Sequence, residues 1–282
     1  FSFLLFLSPI GSFLHIDNTF ILLITDAIIA ITLIGIINLA FLQAKLAFVF
    51  LVTTNIISSI LKLLIGFALV VVGFSINGAV VAILAAGLFS LVFSFLPIRF
   101  IFDKKIGKPV ISTKELFQYG IPSLLTLLGL TSFISMDIML VKHFFTTTEA
   151  GIYAGLSLVG RVIFYLTSPI ASVMFPLLVQ KHAKKEKLPN TFLFSLFLVV
   201  VPSLVMTAFY FLFPKFTILF FLKKPEYLEI VSILGFFGIF ITLYNLLVLL
   251  SNFYLSIKKT KIYIPILTGA FIQIGMILLY HS

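Results

Sequence analysis

The chain has 282 residues, of which 61% are hydrophobic and only 10% are charged, and its mean hydropathy is +1.27. A soluble domain carries about a quarter charged residues, and a folded globule cannot hide this many apolar side chains from water. The composition therefore excludes a water-soluble enzyme and a disordered tail, and the absence of cysteine excludes a secreted disulfide scaffold. It predicts an all-α integral membrane protein, a bundle of several spans.

Eight apolar stretches are long enough to cross about 30 Å of hydrocarbon as helices. They lie at residues 19–43, 46–73, 77–99, 116–142, 149–180, 190–214, 228–254 and 261–280. Residues 1–14 have the composition of the second half of a ninth span. The chain begins at Phe1, without a basic leader, and stops directly after a span, so we expect a fragment without a signal peptide.

The net charge of +10 follows a topological pattern. The basic clusters are not interleaved with stacking aromatics, so we expect no nucleic-acid partner. Alternate connections between spans hold thirteen Lys and Arg, and the remaining connections hold four. Because basic residues concentrate in cytoplasmic loops, residues 100–115 are predicted to be cytoplasmic and residues 215–227 external. The external connection departs from this pattern, since it carries Lys215, Lys223 and Lys224.

Local signals indicate how the spans begin and bend. Capping boxes, in which a hydroxyl and a Glu three residues later satisfy free amides, are predicted at Ser112 with Glu115 and at Thr146 with Glu149. Four prolines within three spans (Pro122, Pro169, Pro176 and Pro202) and a Gly151-x-x-x-Gly155 motif are typical of bent, closely packed helices. A helix end, a basic turn and a new span at residues 39–66 recur at 253–280, a layout that fits a transporter of two related halves.

Four charged residues lie within spans, where charge is costly and by default indicates function: Asp26, Lys62, Asp137 and Arg161. Arg161 lies about 18 Å into its span, so its guanidinium needs a carboxylate, an aqueous cavity or an anionic ligand. One interpretation is two structural ion pairs, Asp26 with Lys62 and Asp137 with Arg161. The other is a cavity of positive character suited to phosphate or pyrophosphate. Midspan Asn55 and Gln273 are further candidates for this cavity, or for interhelical hydrogen bonding.

The most specific motifs lie between Tyr119 and Gln180. Tyr119-Gly120-Ile121-Pro122 opens one span and Ser135-Met136-Asp137 lies near its end; Glu149-Ala150-Gly151 opens the next, which continues through Gly160-Arg161 to Met174-Phe175-Pro176. This pattern resembles the polysaccharide transporter family, the Wzx-like O-antigen flippases of the MATE-like superfamily. The resemblance implies two lobes around a central cavity. Residues 1–115 would then be the end of the first lobe, and residues 116–282 a truncated second lobe.

The resemblance also implies a function. The family members move an undecaprenyl-pyrophosphate-linked oligosaccharide from the inner to the outer leaflet of the cell membrane by alternating access. Arg161 and Lys62 would attract the pyrophosphate, and no covalent chemistry, cofactor or metal is needed. We therefore expect a non-enzymatic flippase. Its expected partners are the lipid-linked oligosaccharide, the bilayer and the polysaccharide polymerase machinery.

Three other functions remain open. An ion-coupled exporter of organic cations with the same fold would need a cavity dominated by acidic residues, whereas the deepest charges here are basic. A membrane enzyme of polysaccharide assembly would need a large extramembrane loop or a polar catalytic cluster, and the four histidines lack metal-binding spacing. A static helical bundle would gain nothing from charges at this depth.

Overall fold

The computed structural model describes residues 7–13, 18–97 and 112–279, and within these ranges every regular element is helical. Contacts divide the chain into two compact units, Phe1–Pro109 and Val110–Ser282. Seven helical segments of the described ranges are long and apolar enough to cross a membrane. The prediction of an all-α bundle with several membrane spans is therefore confirmed. The assignment of residues 1–115 and 116–282 to two lobes of a transporter stays a prediction.

The described part of the first unit contains four helices, α1 (Leu7–Phe13), α2 (Thr19–Ala44), α3 (Phe48–Leu69) and α4 (Ser75–Ser94). Asn18 caps α2 by accepting the Phe20 N–H at 3.1 Å, and its Nδ2 donates to Asn77 Oδ1 at 3.0 Å. At the other end, Asn38 Nδ2 donates to Ser94 Oγ at 2.8 Å. These two contacts show that α2 and α4 run parallel.

The segment Phe48–Ser94 has the length of one 47-residue helix but folds back on itself. The reversal lies in the π-helical turn Val70–Phe74 and the residue after it, where Gly73 has φ 104° and Ser75 has φ 46°. Ser58 Oγ on α3 donates to the Ala86 carbonyl on α4 at 3.1 Å, which places the two helices side by side and antiparallel. The predicted spans 46–73 and 77–99 are therefore separate helices, and residue 99 lies outside the described ranges.

The second unit contains seven helices between residues 112 and 279. They are α5 (Thr113–Phe144), α6 (Thr147–Gly160), α7 (Val162–Ala183), α8 (Pro189–Leu212), α9 (Pro214–Leu222), α10 (Val231–Ser256) and α11 (Tyr263–Leu279), with 3₁₀ turns at Pro225–Ile230 and Thr260–Ile262. The Glu115 N–H donates to Ser112 Oγ at 3.2 Å, and Thr146 with Glu149 forms a complete capping box. Both predicted helix starts are confirmed. The predicted span 149–180, in contrast, is divided at Arg161 into α6 and α7.

Hydrogen bonds and small residues join the helices of this unit. The Tyr210 hydroxyl on α8 donates to the Val159 carbonyl on α6 at 2.7 Å. Thr207 on α8 and Thr242 on α10 share a hydrogen bond of 2.9 Å between their hydroxyls. Such polar contacts hold helices together in lipid, where apolar burial contributes little to association. Large apolar side chains point outward along the same helices, as a lipid-facing surface requires.

Three turns at the predicted cytoplasmic ends have one geometry. Each contains a residue in the left-handed region, Leu46, Lys185 or Lys258, with φ of 56°, 57° and 59°. The next N–H in each turn bonds to the carbonyl five residues before it, Ala47 to Leu42, Glu186 to Lys181 and Lys259 to Tyr254, at 3.0, 3.0 and 2.9 Å. This is the Schellman pattern, which satisfies carbonyls at a helix end. Here it uses residues with side chains where glycine is usual.

Candidate functional site

Arg161 is the single residue between α6 and α7. Its N–H donates to the Ser157 carbonyl at 3.0 Å, and its own carbonyl accepts the Tyr165 N–H at 3.0 Å. Its backbone has φ −70° and ψ −6°, flatter than an α-helix. The chain of helical hydrogen bonds therefore continues through this residue. The side chain is 16% exposed and points towards α5.

Asp137 on α5 is the partner of this arginine. Its side chain is 6% exposed, and its Oδ1 lies 3.6 Å from Arg161 Nη2. The same Nη2 donates to the Ile134 carbonyl one turn earlier on α5. The other carboxylate oxygen, Oδ2, accepts a 2.7 Å hydrogen bond from the Tyr153 hydroxyl on α6. The ion pair is therefore a loose contact, because the guanidinium nitrogen nearest the carboxylate is engaged by the backbone.

Two buried atoms of this contact, Asp137 Oδ1 and Arg161 Nε, have no hydrogen-bond partner within the described part of the chain. The same holds for three other buried atoms of this unit, Ser157 Oγ, Asn245 Oδ1 and Gln273 Oε1. Buried polar groups are nearly always hydrogen-bonded, to protein or to ordered water. The Asp137–Arg161 contact therefore leaves hydrogen-bonding capacity on both side chains that the described helices do not fill.

Gln273 on α11 and Tyr244 on α10 border the same part of α5 and α7. Gln273 Nε2 donates to the Phe133 carbonyl at 3.2 Å, next along α5 to the carbonyl that binds Arg161. Tyr244 is 6% exposed, and its ring lies 5.6 Å from that of Phe164 on α7. Several helices therefore supply polar side chains to one region, which we call the Arg161 cluster: Asp137, Tyr153, Arg161, Tyr244 and Gln273.

The remaining predicted residues lie in the first unit and are not brought together. Asp26 on α2 is half-buried, Lys62 on α3 is exposed, and among the described residues no ion pair joins them. The buried contact between α2 and α3 is Leu42 with Leu51 beside their turn, about 24 Å along α2 from Asp26. The interpretation of Asp26 and Lys62 as a structural ion pair is therefore wrong.

Asn55 lines a groove of about 190 Å³ in this unit. Helices α2, α3 and α4 form its walls, and its polar lining residues are Thr32, Thr54, Asn55, Ser90 and Ser94. Asn55 itself is exposed. Three of its hydroxyls, those of Thr32, Thr54 and Ser94, already donate to carbonyls of their own helices. The lining residues include no charged side chain, so the groove offers nothing to pair with a phosphate.

Comparison with known proteins identifies the family of this chain. Residues 2–232 match the family model described as polysaccharide biosynthesis protein. The chain belongs to this family. The resemblance to Wzx-like polysaccharide transporters is confirmed at the level of the family. No curated protein and no solved structure gives a significant match.

For this polysaccharide biosynthesis protein, the match covers most of the Arg161 cluster. Asp137, Tyr153 and Arg161 lie inside the matched residues, whereas Tyr244 and Gln273 lie beyond them. The two tyrosines were missing from the sequence prediction. Tyr153 precedes Arg161 by about two helical turns, so its spacing placed it near the same face. Nothing in the sequence distinguished Tyr244 from the other aromatic residues of α10.

Arg161 is the cationic group of the cluster, and a guanidinium is chemically suited to an anionic partner. Arg161 offers an Nε–H that has no partner among the described residues, and a guanidinium whose carboxylate contact is long. Guanidinium groups bind phosphate through two parallel hydrogen bonds, which are stronger than neutral ones. A phosphate oxygen could replace Asp137 Oδ1 as the neighbour of Arg161. Asp137 would stay hydrogen-bonded to Tyr153.

Proposed function

We propose that this protein is a flippase for a lipid-linked oligosaccharide of polysaccharide assembly, carried on undecaprenyl pyrophosphate, in the bacterial inner or cytoplasmic membrane. The observation that carries the proposal is a partly buried arginine, held by a loose carboxylate contact, in a multi-span member of a polysaccharide biosynthesis family. A sugar and a pyrophosphate cannot cross hydrocarbon unaided. A polar path with a fixed cation gives the head group a route while the lipid tail stays in the bilayer.

In this mechanism Arg161 exchanges partners. In the structure the guanidinium lies beside Asp137 and the Ile134 carbonyl. Pyrophosphate competes with the carboxylate, so binding energy goes into breaking the Asp137 contact, and release of the head group restores it. Because Arg161 joins α6 to α7, the exchange would act on the junction of these helices. A ligand can shift such an equilibrium only by its differential affinity for the two states. We propose no enzymatic step, cofactor or metal.

The test is transfer of a fluorescent undecaprenyl-pyrophosphate oligosaccharide between leaflets of proteoliposomes that contain the full-length protein. We expect Arg161→Ala to abolish transfer and Arg161→Lys to retain part of it, since lysine keeps the charge but not the bidentate geometry. Lys142→Ala is the matched control, because it removes the same charge from the end of α5. Correctly folded protein that transfers none of several glycans would overturn the proposal.

A second candidate is an ion-coupled exporter of organic cations. The observation that favours it is the buried carboxylate of Asp137, whose Oδ1 accepts no hydrogen bond within the described residues. In that case Asp137→Asn would stop proton-driven export of a fluorescent cation. Arg161→Ala would leave export intact or raise it, since it removes the competing positive charge. The two functions therefore respond in opposite ways to loss of the arginine.

A further inference from the structure

Helix α9 is not needed to carry the chain across the membrane. Helix α8 already has 24 residues, about 36 Å, which is enough to cross the hydrocarbon core. The chain then breaks at Phe213, with φ −129° and ψ 48°, and continues as the nine residues Pro214–Leu222. A helix of nine residues is about 14 Å long and cannot span a bilayer. It therefore begins where α8 reaches the predicted external surface.

One face of α9 is fixed to the unit below it. Thr217 is 2% exposed, and Ile218 is 0% exposed inside the core cluster that includes Tyr210 of α8. A Cβ added to Gly155 on α6 would lie 2.7 Å from the Tyr227 ring and 3.1 Å from Leu222 Cδ1. The segment after α8 thus rests directly on the α6 backbone. It is a packed part of the fold with a defined orientation.

The opposite face of α9 is aromatic and exposed. Phe216 and Phe220 are 60% and 64% exposed, and their rings lie 5.9 Å apart at an interplanar angle of 22°. Leu212 at the end of α8 is 72% exposed, so the lipid-facing surface of α8 leads into this pair. Exposed phenylalanines of this kind are costly in water and stable among lipid chains.

Three lysines flank this aromatic face. Lys215 lies in the first turn of α9, and Lys223 and Lys224 follow its last residue. All three are exposed, and none forms an ion pair within the described ranges, although Glu226 and Glu229 are nearby in sequence. These are the lysines that the topology rule fails to explain. Their placement beside an apolar face is typical of helices that lie in the membrane interface and bind anionic lipid.

We propose that α9 is an interfacial helix that binds anionic phospholipid at the external surface of the membrane. Phe216 and Phe220 insert among the upper acyl chains, and Lys215, Lys223 and Lys224 bind lipid phosphates. This proposal is independent of the cargo of the protein. It explains why three lysines occur in a connection that is predicted to be external, although basic residues usually concentrate in cytoplasmic loops.

A single tryptophan tests the position of α9, because the chain contains none. The Phe220→Trp variant is placed in vesicles of phosphatidylcholine alone or with phosphatidylglycerol added, with bromine at a shallow or a deep acyl position. We expect quenching by shallow bromine, and stronger quenching when phosphatidylglycerol is present. Phe197→Trp on α8 is the matched control, since Phe197 is 61% exposed and lies within that span. Its fluorescence should be quenched by deep bromine whatever the lipid charge.

The lysines are tested in the same assay. Replacement of Lys215, Lys223 and Lys224 by Gln should remove the phosphatidylglycerol-dependent part of the quenching in the Phe220→Trp variant and leave the Phe197→Trp control unchanged. Salt should reduce the same part, as charge screening requires. Equal quenching of the Phe220→Trp variant in both lipids, or its quenching by aqueous iodide in both, would overturn the proposal. Inorganic phosphate that reproduces the lipid effect in neutral vesicles would overturn the assignment to a lipid surface.

Discussion

The Tyr153 hydroxyl donates a 2.7 Å hydrogen bond to Asp137 Oδ2, so the carboxylate that faces Arg161 through Oδ1 is held through its other oxygen. Tyr153 lies on α6 and Asp137 on α5, and the contact spans the turn between these helices. The tyrosine therefore holds the carboxylate through an oxygen that does not face the guanidinium. In a simple ion pair one partner both orients and neutralises the carboxylate. Here Tyr153 orients the Asp137 carboxylate and Arg161 supplies the opposite charge.

We predict that Tyr153→Phe lowers the free energy of unfolding by about 1–3 kcal/mol, because it leaves a buried carboxylate oxygen without its donor. In an Asp137→Asn background the same change should cost less, since a neutral amide loses less by losing a donor. Thermal unfolding of the four proteins in detergent measures this coupling. Equal costs in both backgrounds would show that Tyr153 acts through packing alone.

We predict that Asp137→Asn and Arg161→Gln each destabilise the protein by about 3 kcal/mol, because each leaves a buried charge uncompensated. The double variant should cost less than the sum of the two. Urea or thermal unfolding gives the stabilities, and lipid transfer gives the activity of the same proteins. A double variant that regains both stability and transfer would assign Arg161 a purely structural role.

Two glycines of α6 provide a matched test of helix packing beside Arg161. A Cβ on Gly160 would overlap Cδ1 of the Phe237 ring on α10, whereas a Cβ on Gly151 would have no neighbour within 4 Å among the described residues. We predict that Gly160→Ala destabilises by about 1–3 kcal/mol through overpacking, and that Gly151→Ala stabilises by up to about 1 kcal/mol through helix propensity. Melting temperatures of the two variants should move in opposite directions. Similar shifts would mean that α10 moves aside without cost.

The left-handed backbone conformation of two lysines predicts that glycine at these positions stabilises the protein. Lys185→Gly and Lys258→Gly should each raise the free energy of unfolding by about 1 kcal/mol, because glycine adopts positive φ without the steric cost of a Cβ. Lys184→Gly is the control, since Lys184 has φ −83° and its replacement removes the same charge from the same turn. It should lower stability or leave it unchanged. Destabilisation by all three would indicate that the lysine charges, and not the backbone, determine the effect.

Much of the fold follows from the sequence because its signals are local. Apolar length locates the spans, and hydroxyl–Glu spacing locates the starts of α5 and α6. The interruption at Arg161 escaped prediction because the apolar run continues on both sides of it, although Gly160 directly precedes it. Helix α9 escaped because Pro214 closed the predicted span and the apolar run after it is too short for another. Its position depends on tertiary packing, such as Ile218 in the core of the second unit.

The candidate site was predictable only in part, for a geometric reason. Asp137 and Arg161 lie on either side of a short turn, so their pairing needed only a correct rotation of each helix. Asp26 and Lys62 lie on helices joined in the same way, yet α2 packs along α4, and α3 approaches α2 only beside the turn. Two side chains on neighbouring spans can therefore meet only if they lie at similar depths in the membrane, but similar depth alone is not enough. The relative rotation and divergence of helices decide whether it forms.

The reversal at Gly73 and Ser75 has a consequence for biogenesis. Between Lys62 and Arg99 the sequence contains no charged residue. The turn joins two helices that are already linked by the hydrogen bond from Ser58 Oγ to the Ala86 carbonyl. Only this uncharged turn has to cross the bilayer when the segment is inserted. We expect α3 and α4 to leave the translocation machinery together as a preformed helical hairpin, so that the order of synthesis determines the topology of the first unit without a charged signal between them.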